Sequence, residues 1–308
     1  MKDITRLLCM VLLSFLVVTG CSRRDILDDY PVSGVEVRLD WSGVTEKLPE
    51  GVRIIFYPKD EKGRKIDTYL SVTGGEVKVP SGHYAVVIYN YDTETVLIRG
   101  EESYETIQAY TNFCKLGIAG TEKMVWGPDP LYVVNIDDLD IQNSEETLIL
   151  KLKPKLVIRT YSFSIKVQGL SNVSNVIGSI GGMADHYFLG KAYAMCDDYP
   201  INIDLNVKAG KIEGVFTTFG LPEAIITRLE IKLPVMMNLM IIKVDNSVQE
   251  VKINITEAVQ EPTGGGEGGE GEETKPPALV EVEIEDEIKV DDVETPPSGG
   301  GGIGGDVG

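Results

Sequence analysis

At 308 residues the chain has room for one to three domains, and its apolar content is ordinary enough to build a core. Its 48 acids against 29 basic side chains give a net charge of −19, and fourteen of those acids fall in 261–308 beside only Lys275 and Lys289. No basic stripe is left over, which sets nucleic acid aside as a partner, and two His with no nucleophile motif leave little for a metalloenzyme or a hydrolase.

The first residues carry Lys2 and Arg6, then an apolar run from Leu7 to Val18, then Val18-Thr19-Gly20-Cys21. A basic start, about a dozen apolar residues and a small-residue step form the layout of a secretory signal, too short to span a bilayer comfortably. The last four residues resemble the lipobox of bacterial lipoproteins. That resemblance implies cleavage after residue 20, lipidation of Cys21 and attachment to the outer membrane, facing outward. Several acyl chains hold such an anchor stably where one would not. Residues 21–31 then read as a linker.

From 32 to 260 the pattern is β. In 35–41, Val35, Val37, Leu39 and Trp41 alternate with Glu36, Arg38 and Asp40, the period of a half-buried strand. Residues 51–58 are a more fully apolar run, ended by Pro58; 61–65 are a turn. Residues 74–92 hold two runs split by Pro80-Ser81-Gly82, a chain-reversing signal that lets Tyr84–Tyr89 pair back as a strand. Asn90-Tyr91-Asp92 reads as a turn whose side chains bond nearby backbone. After 95–100 the pattern loosens, with a short helix expected near Tyr104–Tyr110 and a loop at 126–130, where two prolines remove donors. Strand patterning resumes at 131–136 and 146–170. Pro154 breaks the latter, and an alternating strand follows with Tyr161, Phe163, Ile165 and Val167 on one face. The second half continues through 175–190, 212–220, 227–233, 237–244 and 249–255. Gly181-Gly182 marks a positive φ or a close backbone approach. Many short strands with turn residues between them, and no sustained helical period, predict two all-β domains, 32–156 and 157–260.

The stretches VRLDWSG, GVRIIFYPKD, VKVPSGHYAVVIYNYDTETV and PDPLY, followed by IKVQGLSNV, GSIGGMADHYFLG and GVFTTFG, resemble the Bacteroidales fimbrillin-like surface lipoproteins of the fimbrial anchor and assembly type. The resemblance covers about 32–256. It implies two tandem transthyretin-like β-sandwiches without enzymatic activity, anchoring or assembling a fimbria-like polymer or serving as an adhesin, with fimbrial subunits as partners. A glycan-binding lipoprotein of a nutrient-uptake system is the alternative.

Candidate sites are few. Cys114 and Cys196 remain after the signal and the lipid site are assigned. In an oxidising compartment they can pair as a disulfide, and two free thiols are the alternative. Trp126, in a loop, is a candidate glycan contact. Asp137, Asp138 and Asp140 lack the spacing of a calcium loop and read as a solvated turn. His83 and His186 give no metal-ligand spacing, so neither a metal nor any other cofactor is expected.

Residues 261–308 form an acidic, Gly-rich tail that stays disordered on composition alone. Within it Val280, Val282 and Ile284 alternate with glutamates, and Ile288 and Val290 resume the alternation. A lone strand cannot offset its own ordering entropy. Residues 279–290 therefore either add to a sheet edge, here or on a partner, or remain a solvated tail.

Overall fold

The computed structural model describes residues 32–292 apart from 46, 61–62, 115–122, 198, 223–233, 260–279 and 285–286. The signal segment, Cys21, the strand expected over 227–233 and the glycine-rich parts of the tail lie outside the described residues. In chain order the strands are β1 (Val32–Leu39), β2 (Gly51–Pro58), β3 (Ile66–Ser71), β4 (Gly74–Pro80), β5 (Gly82–Asn90), β6 (Val96–Arg99), β7 (Gln108–Thr111), β8 (Phe113–Cys114), β9 (Met124–Val125), β10 (Tyr132–Ile141), β11 (Leu148–Leu152) and β12 (Lys155–Leu156). They continue with β13 (Arg159–Gln168), β14 (Val173–Gly181), β15 (His186–Phe188), β16 (Tyr193–Met195), β17 (Ile201–Lys208), β18 (Lys211–Thr218), β19 (Met236–Lys243), β20 (Val248–Asn254), β21 (Val280–Glu283) and β22 (Ile288–Lys289). The fold is all-β with two curled sheet bodies, the class read from the sequence.

The first sheet runs β11-β1-β4-β3-β2-β5-β10-β12. Only the β1–β11 pair is parallel; the other neighbours are antiparallel. Its inner face gathers Val35, Val37, Val52, Ile54, Phe56, Val79, Tyr84, Val86, Ile88 and Ile141 into one core. Trp41 closes that core just past β1. Its indole N–H donates to the Val72 carbonyl at 2.6 Å and its ring meets Tyr132 edge-on. The opposite face of β2 and β5 is buried as well: Ile55, Tyr57, Ala85, Val87 and Tyr89 belong to a second core. Burial on both faces is why these two strands are more fully apolar than β1, which alternates.

What covers that second face is a four-stranded sheet, β16-β15-β7-β6. Half of it comes from each half of the chain, with His186 opposite Tyr110 and Phe188 opposite Gln108. Ala184, Leu189, Ala194 and Phe219 thus pack in the same core as Ile55 and Val87.

The second body is the sheet β20-β19-β14-β17-β18-β13-β21, with the β8–β9 hairpin joined to β17 and β22 joined to β13. One face of β13, with β14, β17, β18 and β19, supplies Tyr161, Phe163, Ile165, Val167, Ile180, Ile201, Ile212, Phe216, Met237, Leu239 and Ile241 to a third core. Gly182 answers the glycine-pair expectation: its φ is +83°, and a Cβ there would meet the Pro234 carbonyl oxygen at 2.4 Å.

Three local expectations are corrected. Pro80-Ser81-Gly82 does not fold β5 back on β4: β5 pairs with β2 and β10, and β4 with β1 and β3. β5 is buried on both faces, between the first and second cores, and takes β2 and β10 on its two edges. Residues 104–110 form turns leading into β7, with no helix, because Ile107 and Ala109 are fully buried against the first sheet. Asp137, Asp138 and Asp140 lie within β10, where the register shifts between Ile136 and Leu139, a bulge and not a turn.

Candidate assembly interface

β13 is the strand on which the second body turns. Its even-numbered residues Thr160, Ser162, Ser164 and Lys166 face away from the core its odd-numbered residues fill. One edge pairs with β18, Tyr161 opposite Phe216 and Ile165 opposite Ile212. The other edge is taken by the tail. β21 runs parallel to it with Tyr161 opposite Val280 and Phe163 opposite Val282, and β22 follows with Val167 opposite Ile288 and Gln168 opposite Lys289. Val282, Ile288 and Val290 are each only 3–4% exposed and belong to the body's core. The apolar face that the sequence isolated between glycine-rich stretches is thus turned inward on this chain's own sheet edge.

The seam is built to receive a strand. The Val290 amide donates to the Gln168 carbonyl at 3.0 Å. From the far side, Gln249 on β20 uses its side-chain amide as a strand would. Its Nε2 donates to the Lys289 carbonyl at 2.9 Å, and its Oε1 accepts from the Asp291 amide at 3.1 Å. The tail therefore bridges β13 and β20, the two margins of the curled sheet. Gly169, at φ +78°, lets the chain pass: a Cβ would sit 2.8 Å from the Val290 carbonyl oxygen. Outside, Glu281 and Glu283 stand beside Ser162 and Ser164 along a trough of about 770 Å³, with Asp204, Glu213 and Val215 on its other wall. Lys208 and Lys211 bond Glu213 and hold its carboxyl below the usual range. Gln249 and Gly169 escaped the sequence reading. The glycine directly after an alternating strand was the available signal; nothing local marked Gln249.

The other sequence candidates lie elsewhere. Cys114 is buried on β8, with its thiol pushed up by burial, and Cys196 is half-buried just past β16. They follow different sheets, one joined to β17 and the other at the margin of the four-stranded layer. Trp126 is 41% exposed; its amide donates to the Asn112 carbonyl and its carbonyl accepts from the Thr111 hydroxyl. Phe113 and Tyr199, also exposed, meet edge to face at 5.0 Å. The PDP turn after Trp126 is a staple: Asp129 Oδ2 accepts the amides of Glu94 and Thr95, both at 2.6 Å. Asn90, expected to bond nearby backbone, instead accepts the Tyr132 amide and donates to the Pro130 carbonyl.

The acids of β10 are dispersed rather than convergent. Asp137 accepts from the Tyr104 hydroxyl, and Asp138 pairs with Lys59 at 3.0 Å, which holds its carboxyl low. Exposed His83 lies 3.4 Å from Asp138 by one ring nitrogen and 3.7 Å from Asp140 by the other. His186, in contrast, is buried against Asp185 at 2.6 Å. No helix among the described residues is long and apolar enough to cross a membrane.

The family described as Domain of unknown function (DUF5119) matches residues 20–204. Across 311 aligned positions the chain is 51% identical to a Bacteroides ovatus protein named as a fimbrium anchoring subunit, Fim4B, covering 97% of this chain and 93% of that one. A crystal structure of a Bacteroides ovatus protein described as an adhesin superposes with a TM-score of 0.75 at 50% identity, over 90% of this chain and 99% of that one. The fimbrial anchor protein Mfa2 of Porphyromonas gingivalis aligns at 14% identity and a TM-score of 0.48, over 74% of this chain and 83% of its own.

Proposed function

The chain belongs to the DUF5119 family and is 51% identical to that fimbrium anchoring subunit, and from this premise we propose that it is a non-enzymatic anchoring subunit of a fimbria-like polymer, held on the outer membrane by a lipid on Cys21. The observation that carries the reading is the identity to Fim4B along nearly the whole of both chains. The proposed role needs no catalytic residues, only an attachment at one end and a strand-receiving surface for fimbrial subunits. Residues 1–20 act as the export signal, 21–31 as the linker, 32–156 and 157–260 as the two domains, and 261–308 as the tail carrying the strand at 279–290.

The seam on β13 supports the partner side of this reading. A strand held there by edge pairing and three buried apolar side chains is the kind of contact by which an extended segment binds a sheet. The same register that seats Val280–Glu283 in this chain accepts a subunit's strand of like pattern, or lets this tail leave for a partner's edge. The exposed trio Phe113, Trp126 and Tyr199 supports a second contact, in which Trp126 packs on a glycan of the adhering surface.

Fractionation and electron microscopy of cells test the reading together. Cys21→Ala moves the protein out of the membrane fraction and sheds fimbriae into the medium. Fimbriae that stay attached to cells lacking this protein, with no fimbrial subunit crosslinked to it in the wild type, refute the anchoring role.

A further inference from the structure

Asp185, His186 and Asp197 take no part in the seam, yet they converge. Asp185 ends the connection from β14, His186 opens β15, and Asp197 lies two residues past β16. The hairpin brings them together: His186 is opposite Met195, and the Asp185 amide donates to the Met195 carbonyl at 3.0 Å. One ring nitrogen then faces two carboxylates. His186 Nδ1 is 2.6 Å from Asp185 Oδ1 and 3.9 Å from Asp197 Oδ2. The side chains of Asp185 and His186 are each 5% exposed, while Asp197 is 54% exposed.

We propose that Asp185, His186 and Asp197 form a binding site for a divalent transition metal, zinc foremost, that clamps the β15–β16 hairpin to the loop after it. A single N–H at Nδ1 satisfies one carboxylate and leaves the second facing it without a proton. A dication between the three satisfies both and balances their charge against a neutral imidazole. The ligand atoms already lie within 4.8 Å of one another. Tetrahedral zinc with bonds of about 2.0–2.2 Å sets its ligands roughly 3.4 Å apart. The two spacings at Nδ1 bracket that value, so closure asks only that exposed Asp197 move in and the His186–Asp185 contact open slightly.

The surroundings fit a ligand set. Asp185 Oδ2 accepts the amides of Asp197 at 2.9 Å and Tyr199 at 3.4 Å, which fixes the carboxylate as outer-shell bonds fix metal ligands. Phe188 meets the His186 ring edge-on and limits its rotation. Solvent reaches the site past Asp197, whose other neighbour is the exposed Arg99 guanidinium at 3.8 Å, a cation the metal replaces. The mixed nitrogen and oxygen set favours zinc, nickel or cobalt over calcium and magnesium, which take oxygen alone. His83 offers no such point, because its two nitrogens face different carboxylates.

The hairpin carrying these ligands is the part of the second half that pairs with β7 of the first. Occupancy therefore raises the stability of the join between the two bodies, since a ligand that binds only the folded state shifts unfolding. The test is calorimetric titration and thermal melting of the full chain in detergent, after chelation, with zinc chloride and with magnesium chloride. The expected result is one zinc per chain and a melting temperature raised by several degrees, reversed by chelator and absent with magnesium. Asp197→Asn, an exposed change that spares the hydrogen bonds of Asp185, melts like the metal-free wild type and gives no zinc response. His83→Gln keeps the full response. No heat and no shift with zinc, nickel or cobalt overturns the proposal, as does an unchanged zinc response in Asp197→Asn or its loss in His83→Gln.

Discussion

Substituting Val282 with Asp probes whether the tail strand is a separable unit. Val282 is 3% exposed, lies opposite Phe163 and points into the core of the second body. Losing its apolar burial removes about 1.5–3 kcal/mol. A carboxylate in its place, with no cation beside it, adds several kcal/mol more. The body need not absorb that total, because the tail joins it only through the glycine-rich stretch after 260 and can leave by itself. The cost is therefore capped at the free energy of docking the strand, and the effect is local. Hydrogen exchange read residue by residue is the assay. Docking worth roughly 3–6 kcal/mol protects amides by about 10²- to 10⁴-fold. Val282→Asp should abolish that protection at 281–283, 288 and 290 while leaving β2 and β5 unchanged. Glu283→Ala, on the outward face, should alter nothing. Wild-type exchange at 280–290 in Val282→Asp refutes the reasoning. So does equal acceleration in β2 and β5, since the tail would then be inseparable from the global fold.

Two further outcomes follow from the cores. Trp41→Ala should destabilise the chain by about 3–5 kcal/mol, because it empties the first core beside Tyr132 and strips the Val72 carbonyl of its donor; equilibrium denaturation measures it, and a change below about 1 kcal/mol contradicts the packing. Burial, joined by nearby negative groups, lifts the phenols of Tyr57, Tyr89 and Tyr104 above their ordinary range, although Arg53 partly opposes this at Tyr57 and Tyr89. The unfolded chain then loses those protons first, so this stability is intact below about pH 10 and falls as pH rises beyond it. Denaturation midpoints followed with tyrosinate absorbance check this, and a flat profile through that range contradicts it.

The features legible in the sequence were those set by one strand and its environment. The alternation of 35–41 and of 159–168 is visible because each strand hides one face. The more fully apolar run of β2 is visible because both of its faces are buried, though nothing in the run marks what covers the second. The misreadings share a different cause. Pro80-Ser81-Gly82 is a genuine break, but which strand β5 pairs with is decided by β2 and β10, whose contacts a turn rule does not see. Asn90 has the chemistry of a local turn and spends it on Pro130 and Tyr132, forty residues away.

The candidate sites divide in the same way. The pattern of Val280, Val282 and Ile284 was plain, and it required an edge; that the edge is β13 depends on Gly169 letting the chain pass and on Gln249 reaching across from β20. The pair Asp185-His186 stood in the sequence with no visible third member. A hairpin with His186 opposite Met195 brings residue 197 to the mouth of the strand that 185 precedes, so the register itself supplies Asp197. Strand pairing is thus the step that turns separated carboxylates into one cluster and an isolated apolar stripe into a filled seam. Each is made of ordinary residues brought together by hydrogen-bonded backbone, so the stripe at 280–284 shows in the sequence while its edge, like the third carboxylate, is set by register.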